Sequence, residues 1–220
     1  MGSESNEKAY YTIGDRQFPR VTNIIGIVEK SGLARWRGRV GNTEADRISK
    51  EATDFGKGFH EVVAQINHGM HTQRGWFPPD RYREMAYNYI QWMNDNIESI
   101  EGVEELVWSE IDGYAGTLDL RAKIRHDKLS SIVDVKTSKY VSIDWPLQLS
   151  AYRKAKKERG IETQRRMILR VNKEPPYAVD MYDYKDHEED EVIFNHTLEI
   201  WKWLQRDKER HKDALVIGGL

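Results

Sequence analysis

Asp119, Asp134 and Lys136 stand where apolar residues would be expected. They fall inside "GTLDL" (116–120) and "SSIVDVKTS" (130–138), two short runs rich in apolar and β-branched residues. A charge in a sheet interior costs several kcal/mol unless it is paired or bound to an ion. Residues i and i+2 of a strand share a face, so Asp134 and Lys136 project side by side. If the two runs pair as a hairpin, Asp119 reaches that face as well. Two converging carboxylates repel each other unless a cation separates them, and hard oxygen ligands suit Mg²⁺ or Mn²⁺. The lysine beside them would reach an anion or a water at the ion. The plainer alternative is a buried Asp134–Lys136 ion pair, with Asp119 at a solvent-facing strand end.

Further elements must hold such a site. "YYTIGDRQFP" reads as a hairpin turning at Gly14-Asp15, and Thr22 is placed to cap a helix over 23–30. Helical patterns follow over 33–41, 43–69 and 79–97; Thr43 and Asp46 form a candidate capping box. In the third, Tyr82, Met85, Tyr89, Trp92 and Met93 make one apolar face. From Val103 the period becomes two, giving strands over 103–111, 114–124 and 130–138, the last two joined by a polar turn at "RHDK". A helix over 145–160, strands over 165–173 and 177–184, and an amphipathic helix over 190–210 complete the chain. The expected fold is α/β, a mixed central sheet flanked by helices in one domain over 1–220. Its helical N-terminal part covers about 20–100 and its sheet core about 103–220.

Composition narrows the chemistry. The chain has no cysteine, which excludes disulfides, thiolate metal sites and a cysteine nucleophile. No apolar run reaches the roughly 18 residues of a membrane span. The polar start "MGSESNEKAY" lacks the core of a signal peptide, so the expected setting is cytoplasmic, in a bacterial or phage-infected cell. The net charge of −2 conceals uneven distribution. Basic residues crowd "RWRGR", "YRKAKKER" and "QRRMILR", and acidic ones crowd "DYKDHEEDE". Each run alone reads as an ordinary solvated face.

The segments "GYAGTLDL", "SIVDVKTSK" and "PLQLSAY" together resemble the PD-(D/E)XK nuclease superfamily, in its RecB/Cas4-like branch. The pattern there is G-x-h-D, D-h-K-T-S and Q-x-x-x-Y, matched by Gly116–Asp119, Asp134–Ser138 and Gln148–Tyr152. The front of the chain, "PRVTNIIG", "LARWRGRVG" and "ATDFGKGFHEVV", is similar to mitochondrial genome maintenance exonucleases and related phage and bacterial exonucleases. The cysteine set of iron–sulfur members is missing, and so is the phosphate-binding loop of a helicase.

The resemblance implies a nuclease core and a DNA exonuclease dependent on Mg²⁺ or Mn²⁺, acting from single-stranded ends in recombination, repair or replication. Asp119, Asp134, the Val135 carbonyl and His60 would hold the metal. Lys136 would orient water and stabilise phosphate charge, with Gln148 and Tyr152 supporting it. Thr137, Ser138, Trp36 and Arg37 would contact DNA, and a helicase or annealing protein is the implied partner class. Against each role stands a structural one: a satisfied helical histidine for His60, a capping glutamine and packed tyrosine for Gln148 and Tyr152, core packing for Trp36. Glu110 is divided between the metal site and a solvated strand end, and His68 and His71 belong to a polar loop. The rival functions are a duplex-resecting recombination exonuclease of phage type and an inactive DNA-binding module.

Overall fold

The computed structural model describes residues 9–28 and 30–213; the polar stretch 1–8, on which the cytoplasmic expectation rests, lies outside them. A hairpin, β1 (Tyr10–Ile13) and β2 (Arg16–Pro19), turns at Gly14 as expected. Helices α1 (Val21–Ile25), α2 (Ser31–Val40), α3 (Asn42–Asn67) and α4 (Arg83–Asn96) come next. They lead into β3 (Ile97–Ser109), β4 (Tyr114–Ile124) and β5 (Ser130–Lys136). Helix α5 (Trp145–Lys157), β6 (Arg165–Val171), β7 (Val179–Asp183) and α6 (His187–Asp213) complete the described chain.

The five strands β3 to β7 lie side by side in chain order. All neighbours are antiparallel except β5 and β6, which run parallel because α5 crosses over between them. The molecule is therefore α/β with a mixed sheet covered on both faces. On one face Val133, Val135, Met167 and Leu169 pack against Phe59, Val62 and Ile66 of α3 and Met85 and Tyr89 of α4. On the other, Leu118, Ile132 and Ile168 pack against α1, against Leu149 and Tyr152 of α5, and against Phe194 and Leu198 of α6. Strands buried on both sides are apolar at nearly every position, so a charge inside β5 stands out.

Two expected caps are replaced. Helix α1 starts at Val21 after an extended Arg20 and stops at Ile25, so Thr22 caps nothing. Burial of Val21, Ile24 and Ile25 against the sheet sets its register instead. Thr43 makes no capping bond at α3, and Asp46 accepts from Arg37 Nη2 at 2.5 Å.

The basic runs are largely spent inside the fold. Arg165 pairs with Asp183 and Asp127, Arg166 with Asp190 and Arg170 with Asp180; Lys154 and Lys156 pair with Asp112 and Glu105. The acidic C-terminal run thus neutralises Arg165 and Arg166 of "QRRMILR", and Asp180 of β7 neutralises Arg170. Arg166 is fully buried and ties three elements together. Its guanidinium donates to Ser150 Oγ (2.9 Å), Asp190 Oδ2 (2.7 Å) and the Pro146 carbonyl (3.3 Å). Arg166→Met leaves these acceptors without a donor and is expected to cost about 3 kcal/mol, read by urea unfolding. No helix among the described residues is long and apolar enough to cross a membrane.

Candidate metal centre

The β4–β5 ladder ends at Leu120 opposite Val133, one residue short of Asp119 and Asp134. Leu118 packs on the α5 side and Leu120 on the α3 side, so simple alternation breaks at Asp119. The Val135 N–H donates to Asp119 Oδ2 at 2.7 Å, a carboxylate taking the place of a ladder carbonyl where the strands part. On the neighbouring strand Glu104 has φ +49, a left-handed conformation costing a non-glycine residue about 1–2 kcal/mol. His60 Nδ1, presented by α3, lies 3.3 Å from Asp119 Oδ2. Ligand atoms of His60, Glu104 and Asp119 all fall within 4.8 Å of one another.

Asp134 is engaged differently. It is 1% exposed; its Oδ1 accepts from Gln148 Nε2 (3.0 Å) and its Oδ2 lies 2.6 Å from Lys136 Nζ. The second contact is a buried ion pair, and Oδ2 has no other partner among the described residues. Lys136 Nζ donates to Gln148 Oε1 (2.9 Å), and Gln148 Nε2 also donates to the Tyr152 hydroxyl (2.9 Å). Gln148 therefore fixes the acid and the ammonium together, and Tyr152 fixes Gln148. The close metal-ligand set brings in Glu104, while Asp134 faces the same cavity with its carboxylate turned to Lys136.

The electrostatics separate the two aspartates. Burial pushes both carboxyls up. At Asp119, His60, Lys136 and the Val135 N–H outweigh burial and hold the group below its ordinary value. At Asp134, burial prevails over Lys136 with help from Asp119, and the carboxyl is pushed up to about 6. Burial and then Asp119 also raise Glu104. Burial alone would lower the His60 imidazole, but Asp119 and Asp134 hold it up to about 9. Acidic groups driven up by burial and by one another, next to an imidazole held protonated, make a site that favours an added positive charge.

His60, Asp119, Asp134, Lys136, Gln148 and Tyr152 line one cavity of about 370 Å³, with Tyr11, Arg20, Lys57 and Thr117; Glu104 lies outside its lining. Arg20 stacks on Tyr11, 4.2 Å from the ring centroid, and its buried Nε has no hydrogen-bond partner. Sequence reasoning missed Arg20, Lys57 and Glu104. "VEELV" gave no sign of Glu104, because a left-handed residue within a strand has no sequence signature outside glycine and asparagine.

The two glycine motifs have a steric basis. A Cβ on Gly116 would stand 2.4 Å from Tyr152 Cε1, and one on Gly58 would stand 2.3 Å from the Tyr82 hydroxyl. Gly116→Ala is expected to displace the Tyr152 ring, loosen Gln148 and lower any activity of the site about 10–100-fold. A Tyr152→Phe variant, which frees the space at the hydroxyl only, separates lost room from the lost hydrogen bond.

Other expected residues lie apart. Thr137 and Ser138 border an adjoining groove with Lys136. Trp36 is half-buried on α2 and Arg37 is bound to Asp46; neither lines the cavity or the groove. Glu110 is exposed and pairs with Arg16 at 3.5 Å, as a solvated strand end. His71 Nδ1 lies 3.0 Å from the Ile66 carbonyl.

Fold and site together define an α/β protein with a mixed sheet and an acid–histidine–lysine cluster at the point where two strands separate. No family model matches the chain, and no curated protein matches it. Among solved structures it is similar to one described as the crystal structure of SSO0001. That likeness has 13% identity and a TM-score of 0.42, covering 84% of this chain and 75% of the other.

Proposed function

We propose that the protein is a metal-dependent phosphodiester hydrolase of the PD-(D/E)XK nuclease type, cutting DNA from single-stranded ends. The observation that carries this reading is the convergence of Asp119, Asp134, His60 and Lys136 on one cavity, where the Asp134 carboxyl is pushed up to about 6 and the His60 imidazole is held up to about 9, so that the site favours an added positive charge. The residues fit a hard divalent ion, Mg²⁺ or Mn²⁺. Asp119, Glu104 and His60 would hold it, beside Asp134, whose Oδ2 is paired with Lys136 Nζ at 2.6 Å. When bound, such an ion supplies Lewis acidity, offsetting phosphate charge and acidifying water.

The chain's own groups do the rest. The Lys136 ammonium is kept charged by Asp134 and Asp119 against the effect of burial. Held by Gln148, it donates to a non-bridging phosphate oxygen, where negative charge grows during attack. Arg20, which lines the cavity, would hold a second oxygen through its guanidinium. Water adds to phosphorus, the P–O3′ bond breaks, and the departing oxygen takes a proton, leaving a 5′-phosphate and a 3′-hydroxyl.

The test is incubation of end-labelled single-stranded DNA with the protein in Mg²⁺, Mn²⁺ or EDTA. Cleavage in either metal and none in EDTA is expected. Intact DNA in both metals would overturn the reading. Blunt and flapped duplexes in the same assay distinguish action on single-stranded ends from duplex resection.

A further inference from the structure

The cavity opens into a second, larger groove of about 720 Å³, and Thr22, Lys57, His60 and Lys136 border both. The groove runs between α3 and the segment after β5, past Thr137 and Ser138, to Lys173 beyond β6. Lys57 and Lys173 have no carboxylate at ion-pair distance among the described residues, although cations in the basic runs found partners. Glu61 is the one acid on the groove's lining. Lys173 Nζ sits 4.7 Å from the Phe55 ring centroid, with Arg81 at 4.9 Å from the same centroid. Burial lowers the Lys173 pKa, and no compensating anion raises it. A partly desolvated ammonium held on an aromatic ring, with no carboxylate at ion-pair distance among the described residues, favours contact with an anion.

We propose that this groove binds the backbone of a single nucleic-acid strand next to the site. Lys57 would take the phosphodiester at the junction of the two cavities, and Lys173 one further along. The inference rests on the phosphodiesterase reading for its substrate, and it adds a binding track that reading does not require. A row of cations leading away from a hydrolytic centre matches the way single strands are held, by charge along the backbone.

The test titrates labelled dodecathymidylate into the full chain in EDTA at several salt concentrations. Lys173→Met keeps the apolar stem on Phe55 and removes only the charge. It is expected to weaken binding about fivefold to tenfold and to make the plot of log affinity against log salt shallower by about 0.7, the share of one single-strand phosphate. Lys173→Arg restores both, and Lys123→Met, at the C-terminal end of β4, changes neither. In Mn²⁺ the ratio of oligonucleotide cleavage to bis(4-nitrophenyl) phosphate cleavage falls by the same factor in Lys173→Met. Unchanged binding by Lys173→Met would overturn the proposal. So would equal competition by duplex DNA, or a preference for 5′-phosphorylated strands that Lys173→Met abolishes, which marks a terminal-phosphate site. Binding that depends on Lys173 in a protein that cleaves neither substrate keeps the groove and removes the hydrolase, so the two readings fail separately.

Discussion

Lys136→Met is expected to reduce cleavage of single-stranded DNA by about 10²–10³-fold, the usual cost of losing one preorganised donor to a developing negative charge. The larger consequence falls on its partner. The Asp134 carboxylate, 1% exposed, has the Lys136 ammonium as its one ion-pair partner among the described residues, at 2.6 Å. Without it, burial and Asp119 drive the carboxyl further above its position near 6. A carboxyl whose folded pKa lies above its unfolded value near 3.8 contributes stability at low pH and loses it as pH rises through the folded value. In the variant that window moves upward, so it is expected to be about 3 kcal/mol less stable than wild type at pH 8 and nearer to wild type at pH 5. Urea unfolding at the two pH values measures this. Adding Asp134→Asn should restore stability at pH 8 without restoring cleavage. A double variant as unstable as the single one would show that the pair is not what holds this part of the sheet.

Asp119→Asn is expected to abolish metal dependence, with cleavage lowered on the order of 10³-fold. Asn keeps the shape and can still accept the Val135 N–H, so the fold should survive. What it loses is the charge that holds His60 and would hold a cation. Wild-type protein at a hundredfold excess of Mn²⁺ over its dissociation constant gains about 2.7 kcal/mol. For a domain of this size that is a Tm increase of about 5–10 °C. The variant should show almost none. The pH dependence has a definite sign. In the metal-free protein the His60 imidazole is held up to about 9 against an ordinary 6.5. The His60–Asp119 pair therefore stabilises fully below about pH 6.5, and its contribution is lost as pH rises through about 9. Metal binding needs the neutral ring, so the Mn²⁺-induced Tm gain should grow across that interval. Thermal scans with Mn²⁺ or EDTA at pH 6.5, 7.5 and 9 check both trends. A Tm gain in Asp119→Asn equal to that of wild type would remove Asp119 from the metal site.

How far the site was legible depended on its distance from regular structure. The D-x-K pattern places Asp134 and Lys136 on one face of β5 through strand alternation alone, and Gln148 and Tyr152 share a turn of α5 by the same kind of rule. Glu104 was illegible. It reaches His60 and Asp119 only because the backbone of β3 turns left-handed there, opposite the point where β4 leaves β5. Arg20 was illegible for a related reason, since its role depends on the hairpin folding back so that Tyr11 meets its guanidinium. The basic runs misled in the other direction. Whether an arginine faces a phosphate or an aspartate a hundred or fewer residues away cannot be read from its neighbours in the chain.

Local patterning alone determined the number, type and order of nearly all the elements, because periods of two and 3.6 are properties of short segments. It also determined which residues carry charge into a buried sheet. Tertiary structure decided where those charges go. The ladder opens at Asp119, aspartates of β7 and of the acidic C-terminal run neutralise the basic strand beside them, and Lys57, Lys173 and Arg20 have no carboxylate at ion-pair distance among the described residues. Pairing between charges depends on distances of a few ångströms across segments remote in sequence, and only the packed chain sets those distances.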